Sequence, residues 1–168
     1  MSNNQNSLKV VLEQTTNNTT SWIGNYESDK KNIKGGQTFM APSEADLEAI
    51  KVFSSIVTIP GEVIMTVHHF DTTLKSWGPS LISSKVQFSR ADSGSWKSFD
   101  TSGLHLTEGK TYGFILEGLT SCIGMGEAVG SHVKPPHANG QEWRFTNNNQ
   151  QGDSFNYFSL AFKIEARA

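Results

Sequence analysis

An all-β fold, a single-domain two-sheet antiparallel β-sandwich of jelly-roll type, is what these 168 residues predict. Three observations predict it. Short runs alternate apolar and polar side chains with the two-residue period of a strand. Gly, Pro, Asn and Asp punctuate those runs at about the 8–12-residue spacing of sandwiches and barrels. No long stretch shows the 3.6-residue period of an amphipathic helix. A chain near 150 residues buries roughly 68–70% of its unfolded surface, so packing alone can hold such a domain.

The elements follow in order. Residues 8–12 form a first strand with Leu8, Val10 and Leu12 on one face. Residues 14–21 are polar and β-branched and read as a loop; the Asn-x-Thr sequons at Asn17 and Asn18 matter only in a host that glycosylates. Residues 22–32 read as irregular, anchored by Trp22 and Tyr26, so that 1–34 amounts to one strand plus a loop. Residues 35–42 read as a turn, a short strand and a stop at Pro42. Ser43 followed by Asp46 imitates a capping box. The stretch runs straight into β-branched and aromatic residues 51–57, however, so a turn leading into a strand is the reading.

Residues 61–70 alternate most clearly, with Val63, Met65 and Val67 on one face and Glu62, Thr66 and His68 on the other. A connection over 71–79 leads to a strand at 81–88, which sets Ile82, Val86 and Phe88 against Ser83, Lys85 and Gln87. A turn at 90–94 precedes a strand at 95–100, and Tyr112, Phe114 and Leu116 then alternate with Gly113 and Glu117. Residues 119–140, rich in Gly, His and Pro, read as one long loop, where a β scaffold carries its site. Residues 142–146 are strand-like, 147–153 a polar turn, and 155–164 a last strand with Phe158, Leu160, Phe162 and Ile164 on one side. The total is roughly nine or ten strands.

Composition narrows function. A net charge of -2 with 18% charged residues gives no basic footprint for nucleic acid. The single Cys122 supplies neither an intrachain disulfide nor a zinc site, and its apolar setting reads as a buried inert thiol. No apolar run of about 18 residues is present to span a membrane. The first residues lack a signal-peptide pattern. That leaves an intracellular protein or a secreted one written without its leader.

Several residues in order carry a resemblance. They are Gly36-Gln37-Thr38-Phe39-Met40-Ala41-Pro42, Ile50-Lys51-Val52-Phe53, Gly61-Glu62-Val63, Trp96-Lys97-Ser98-Phe99, and the run from Leu106 through Gly109 and Tyr112 to Phe114. Over 35–165 the sequence resembles the accessory β-sandwich modules of bacterial secreted and cell-surface proteins, related in shape to carbohydrate-binding jelly rolls. The resemblance implies the architecture, a glycan or surface partner and an extracellular or cell-surface location. It carries over no catalytic residue. Gly109 suits a positive-φ turn and Tyr112 the start of a buried strand.

Sugar rings are held by flat aromatic faces, with amides and charged groups bonding the hydroxyls. Trp143 with Glu142, Arg144, Gln141 and Asn139 fits that chemistry, as do His137 beside it and Trp77 on the earlier connection. Against this, Trp143 lies two residues from Phe145 and so shares its face, which is the argument for core. Other chemistries have thinner support. His68 and His69 are adjacent and point to opposite faces of a strand, so they cannot chelate one metal. His132 and His137, flanked by Glu127 and Glu142, could form a His/carboxylate site. Asp71, Asp92, Asp100 and Asp153 at loop positions could gather Ca²⁺, though in no known loop spacing. Glu127 and Glu142 could form a glycosidase pair. There is no Gly-x-Ser-x-Gly elbow and no phosphate loop. The leading expectation is a non-catalytic carbohydrate-binding module without a required cofactor. The alternatives are a structural or assembly domain making protein contacts and, third, a metal-dependent or glycosidase-type enzyme.

Overall fold

Apolar–polar alternation sets where the strands run, and a computed structural model describes the chain over residues 7–26 and 31–168. The expected Tyr26 anchor lies outside the described side chains. Among the described residues there are thirteen strands and no α-helix, the one helical turn being a short 3₁₀ segment at Arg90–Asp92.

The strands are β1 (Leu8–Gln14), β2 (Thr19–Tyr26), β3 (Lys31–Met40), β4 (Ala45–Ile59), β5 (Gly61–Asp71) and β6 (Ser76–Phe88). They continue as β7 (Ser95–Leu106), β8 (Thr111–Glu117), β9 (Cys122–Val129) and β10 (Glu142–Thr146). The last are β11 (Asn149–Phe155), β12 (Phe158–Leu160) and β13 (Phe162–Arg167).

All pairings are antiparallel, and they join into one curled sheet rather than two separate ones. β4 is the spine of the first arm. Its first two-thirds lies between β13 and β7, its end pairs with β9, and β9 in turn pairs with β2. β3 carries the sheet into the second arm. Its residues Lys31–Ile33 pair with β2, whereas its later residues pair with β10 on that side and with β8 on the other. β8 pairs with β5, and β5 with β6. Two separate sheets are not seen, because β3 is hydrogen-bonded to both arms.

The core lies where the arms face each other. Val63, Met65 and Val67 are fully buried, as their alternation requires. The Phe162 ring of the first arm meets Phe39 at 6.2 Å and Phe114 at 5.8 Å on the second. Aromatic burial of this kind is the largest apolar contribution a small domain has. The turn after β7 is as its sequence dictates: Gly109 has φ 78°. Tyr112 is buried and its hydroxyl accepts the Thr107 amide at 2.9 Å.

Three readings of the sequence need correction. The described part of 22–32, residues 22–26 and 31–32, is strand, belonging to β2 and the start of β3, rather than irregular. Residues 119–140 are not one loop, because β9 lies within them and is buried over Cys122–Ala128. The polar stretch 147–153 is mainly strand β11, pairing with β10. The capping-box imitation at Ser43 is indeed no helix: β4 begins at Ala45. Cys122 is buried, as expected.

Candidate functional site

The outer face of the second arm is the unusual surface. Strands there should place polar groups outward. Instead Phe70, Trp77, Trp143 and Phe145 lie together on it. Ring centroids are 5.4 Å for Phe70–Trp77, 5.5 Å for Phe70–Trp143, 5.8 Å for Trp77–Trp143 and 5.8 Å for Trp77–Phe145. Most of these contacts are edge-to-face, the arrangement that the ring quadrupoles favour by about 0.5–1.5 kcal/mol per pair.

Glycines make room for the cluster. A Cβ on Gly113 would sit 2.6 Å from Trp77 Cη2, and one on Gly36 would sit 3.3 Å from the same atom and 3.2 Å from Phe145 Cε2. The missing side chains on β3 and β8 leave a trough into which the indole lies against the backbone. Trp77 itself stands on β6, opposite Phe70, rather than on a free connection.

His68 completes this wall. Its Nδ1 lies 2.8 Å from the Gly78 carbonyl, which can only accept, so Nδ1 carries the proton and Nε2 accepts from Thr66 Oγ1 at 2.7 Å. Burial holds its pKa below the ordinary imidazole value, which favours this neutral form. Its ring meets Trp77 edge-on at 5.6 Å.

Beside the cluster opens a groove of about 950 Å³. Ile64, Ile115 and Thr66 lie on the strands that floor it, and Trp77, His68 and Phe145 line one part. Gln150 and Gln151 from β11 and Asn32 from β3 bring amides to it. Lys34 and Glu117 lie in it as an ion pair, Nζ to Oε2 3.4 Å. A second groove of about 300 Å³ lies around the loop before β10 and takes in His137, Asn139 and Gln141. That loop is fastened at Thr38, whose amide donates to the Gln141 carbonyl at 2.9 Å and whose Oγ1 accepts the Gln141 amide at 2.9 Å. Gly140 packs so closely on the Thr38 carbonyl that no Cβ fits there. Lys75, in the turn between β5 and β6, lines both grooves.

The residues expected to form one site are therefore divided. His137, Asn139 and Gln141 share the smaller groove, and Trp77 lines the larger. Trp143 is 5% exposed, under Phe70, Trp77 and Phe145, and offers no open face for stacking. Its sharing a face with Phe145 was the informative signal. Arg144 is exposed, its guanidinium 6.0 Å from the Phe155 ring centroid. Reading the sequence missed Lys34, Glu117, Gln150 and Gln151; only β11 pairing back on β10 brings the two glutamines to the groove.

Glu142 turns inward. It is 1% exposed and lies beside the carboxyl of Glu127, itself 2% exposed on β9. Burial first, and then this contact, pushes Glu142 up to about 10, with Arg144 pulling weakly the other way. Thr19 Oγ1 donates to Glu127 Oε1 at 2.7 Å. Gln37, across from Glu142 on β3, accepts the Leu160 amide at 2.9 Å. Together these groups form a polar seam between the arms. Both carboxyls are enclosed between the arms rather than open to a cleft.

The candidate metal ligands make other contacts. His132 packs on Tyr157 and His137 on Phe162, at 4.9 and 5.3 Å between ring centroids. Asp71 caps the Thr73 and Leu74 amides, Asp92 bonds Ser89 and Lys97, and Asp100 bonds Ser102. Among the described residues no three His, Cys, Asp or Glu side chains are grouped to hold an ion. No helix there is long and apolar enough to cross a membrane.

No protein-family model and no curated protein matches the chain. Its fold is similar to part of the crystal structure of the cysteine protease and lectin-like domains of Cwp84, a surface layer associated protein of Clostridium difficile. The TM-score is 0.52 at 10% identity, over 82% of this chain and 32% of that one, a likeness of fold alone.

Proposed function

We propose that the chain is a non-catalytic carbohydrate-binding module, a two-layer jelly-roll-like domain working at a cell surface or outside the cell. The observation that carries this reading is the larger groove. It is open, of a volume suited to a few sugar rings, apolar on its strand floor and aromatic on one side, with amides and an ion pair around it. Trp77 and Phe145 supply the aromatic edge, while Gln150, Gln151, Asn32, Lys34 and Glu117 bond hydroxyls. The smaller groove, with His137, Asn139 and Gln141, extends the path. The lectin-like domain in the structure of similar fold supports a sugar ligand, and that protein's surface-layer association supports the location.

The test is a glycan array on the purified chain, followed by calorimetry on the hits. Trp143→Ala would be a poor probe, because it removes a buried ring. Gln150→Ala with Gln151→Ala removes two exposed side chains and leaves the core intact. Binding lost in that variant, at an unchanged circular dichroism spectrum, supports the groove. A well-folded protein that binds nothing on the array overturns the reading.

A second reading, an assembly domain, has one observation behind it. Among the described residues β1 pairs on one side only, with β13, and its Leu8 and Val10 are 48% and 43% exposed. Light scattering that gives a stable dimer, dissociated by Val10→Lys, would favour it.

A further inference from the structure

We propose that the ligand is an anionic sugar, a carboxylated or sulfated oligosaccharide, whose charged group is received by Lys75 at the junction of the two grooves. This rests on the carbohydrate reading above and narrows it.

The first argument is placement. Lys75 is the one residue lining both grooves, so a chain running from one into the other passes it. The second is charge. Lys34 is already met by Glu117 at 3.4 Å, whereas Lys75 has no carboxylate partner among the described residues. The nearest acid in sequence, Asp71, is turned into the loop, its Oδ1 accepting the Thr73 and Leu74 amides at 2.9 Å. With His137 and His68 both held toward their neutral forms by burial, Lys75 is the unneutralised charge of the site.

The third argument is backbone conformation. Lys75 has φ 51°, the one non-glycine residue with positive φ among those described. A left-handed backbone strains an L side chain, and Asn or Gly would hold this turn more easily. A lysine standing where the turn chemistry prefers a smaller residue points to a use for its side chain. Conformation, position and missing partner converge on one residue.

A charge-assisted hydrogen bond of this kind gives about a tenfold preference. Calorimetry at low salt would compare three arms: a neutral galacto-oligosaccharide, the matching oligogalacturonate and a sulfated galactan fragment. The unmodified chain is expected to bind one or both acidic ligands about tenfold more tightly than the neutral one, and the two acidic arms tell carboxylate from sulfate. Lys75→Asn suits the left-handed turn, so it keeps the fold and is expected to bring acidic and neutral ligands to equal affinity. Lys9→Gln, the same loss of charge on β1 at a residue that lines neither groove, is expected to keep the preference. Equal binding of acidic and neutral ligands, or a preference that survives Lys75→Asn or disappears in Lys9→Gln, overturns this proposal and leaves the carbohydrate reading standing. A folded chain that binds no arm and nothing on the array removes both.

Discussion

Two adjacent residues of β10 invert the usual rule in opposite directions. Trp143 is turned to the outer face and Glu142 to the interior, yet they are 5% and 1% exposed. On the outer face an aromatic cluster covers its own tryptophan, and glycines on neighbouring strands make the space. In the interior an acid is tolerated because a second carboxyl shares its site and a proton neutralises it. The outer cluster is held by shape and area; the seam is held by hydrogen bonds and a protonation state. Perturbations that change volume should therefore act on the first, and changes of pH on the second.

The largest expected effect is on the outer face. Trp143→Ala removes a buried ring in contact with Phe70, Trp77 and Phe145. It should destabilise by about 3–5 kcal/mol, as buried aromatic deletions do. Denaturant unfolding followed by circular dichroism measures it. A loss below about 1 kcal/mol would mean that the cluster is decoration rather than a second core.

The seam answers to pH. Glu142 keeps its proton in the folded state up to about 10, against an ordinary value of 4.5. The folded state thus binds more protons between these limits. Its contribution is fully present below pH 4.5 and is lost as pH rises toward 10, at a slope of up to about 1.4 kcal/mol per unit. Glu142→Gln keeps the shape and a donor but does not titrate. Its stability curve should match the parent in acid and lie above it at pH 8–9. Parallel curves over pH 4.5–9 would show that the pair does not govern alkaline stability.

Gly113→Ala comes next. The added methyl must displace the Trp77 ring, so a loss of about 1–3 kcal/mol is expected, with a shift of tryptophan emission toward water-exposed wavelengths. An unchanged emission spectrum would mean that the indole does not rest in the trough.

How legible these regions were in the sequence follows from their physics. The alternation of Val63, Met65 and Val67 fixed their burial, and Trp143 two residues before Phe145 announced a shared face. β9 escaped notice because it is buried on both faces and so does not alternate. Its Gly124 and Gly126, read as loop residues, are where Thr20, Ile56 and Phe53 press on the backbone. The trough needs Gly36, Gly113 and Trp77 from three strands, which no local pattern connects. Glu127 and Glu142 were recognisable as a carboxylate pair, but only the pairing of β9 and β10 with the rest of the sheet shows that they meet inside rather than across a cleft.

The smallest effect is the most discriminating. Thr19→Val replaces the hydroxyl that donates to Glu127 Oε1 with a methyl of similar volume. Losing one such bond costs about 1 kcal/mol. The single value matters less than the coupling. If Thr19, Glu127 and Glu142 act as one network, Thr19→Val and Glu142→Gln should be non-additive by about 0.5 kcal/mol or more in a double-mutant cycle. Thr19→Val and Gly113→Ala share no partner, lie on opposite faces of the sheet, and should add. Additivity in both cycles would dissolve the seam into independent contacts. Coupling in the second would mean that the two faces are one mechanical unit, and that ligand in the outer groove can be felt by the buried carboxyls.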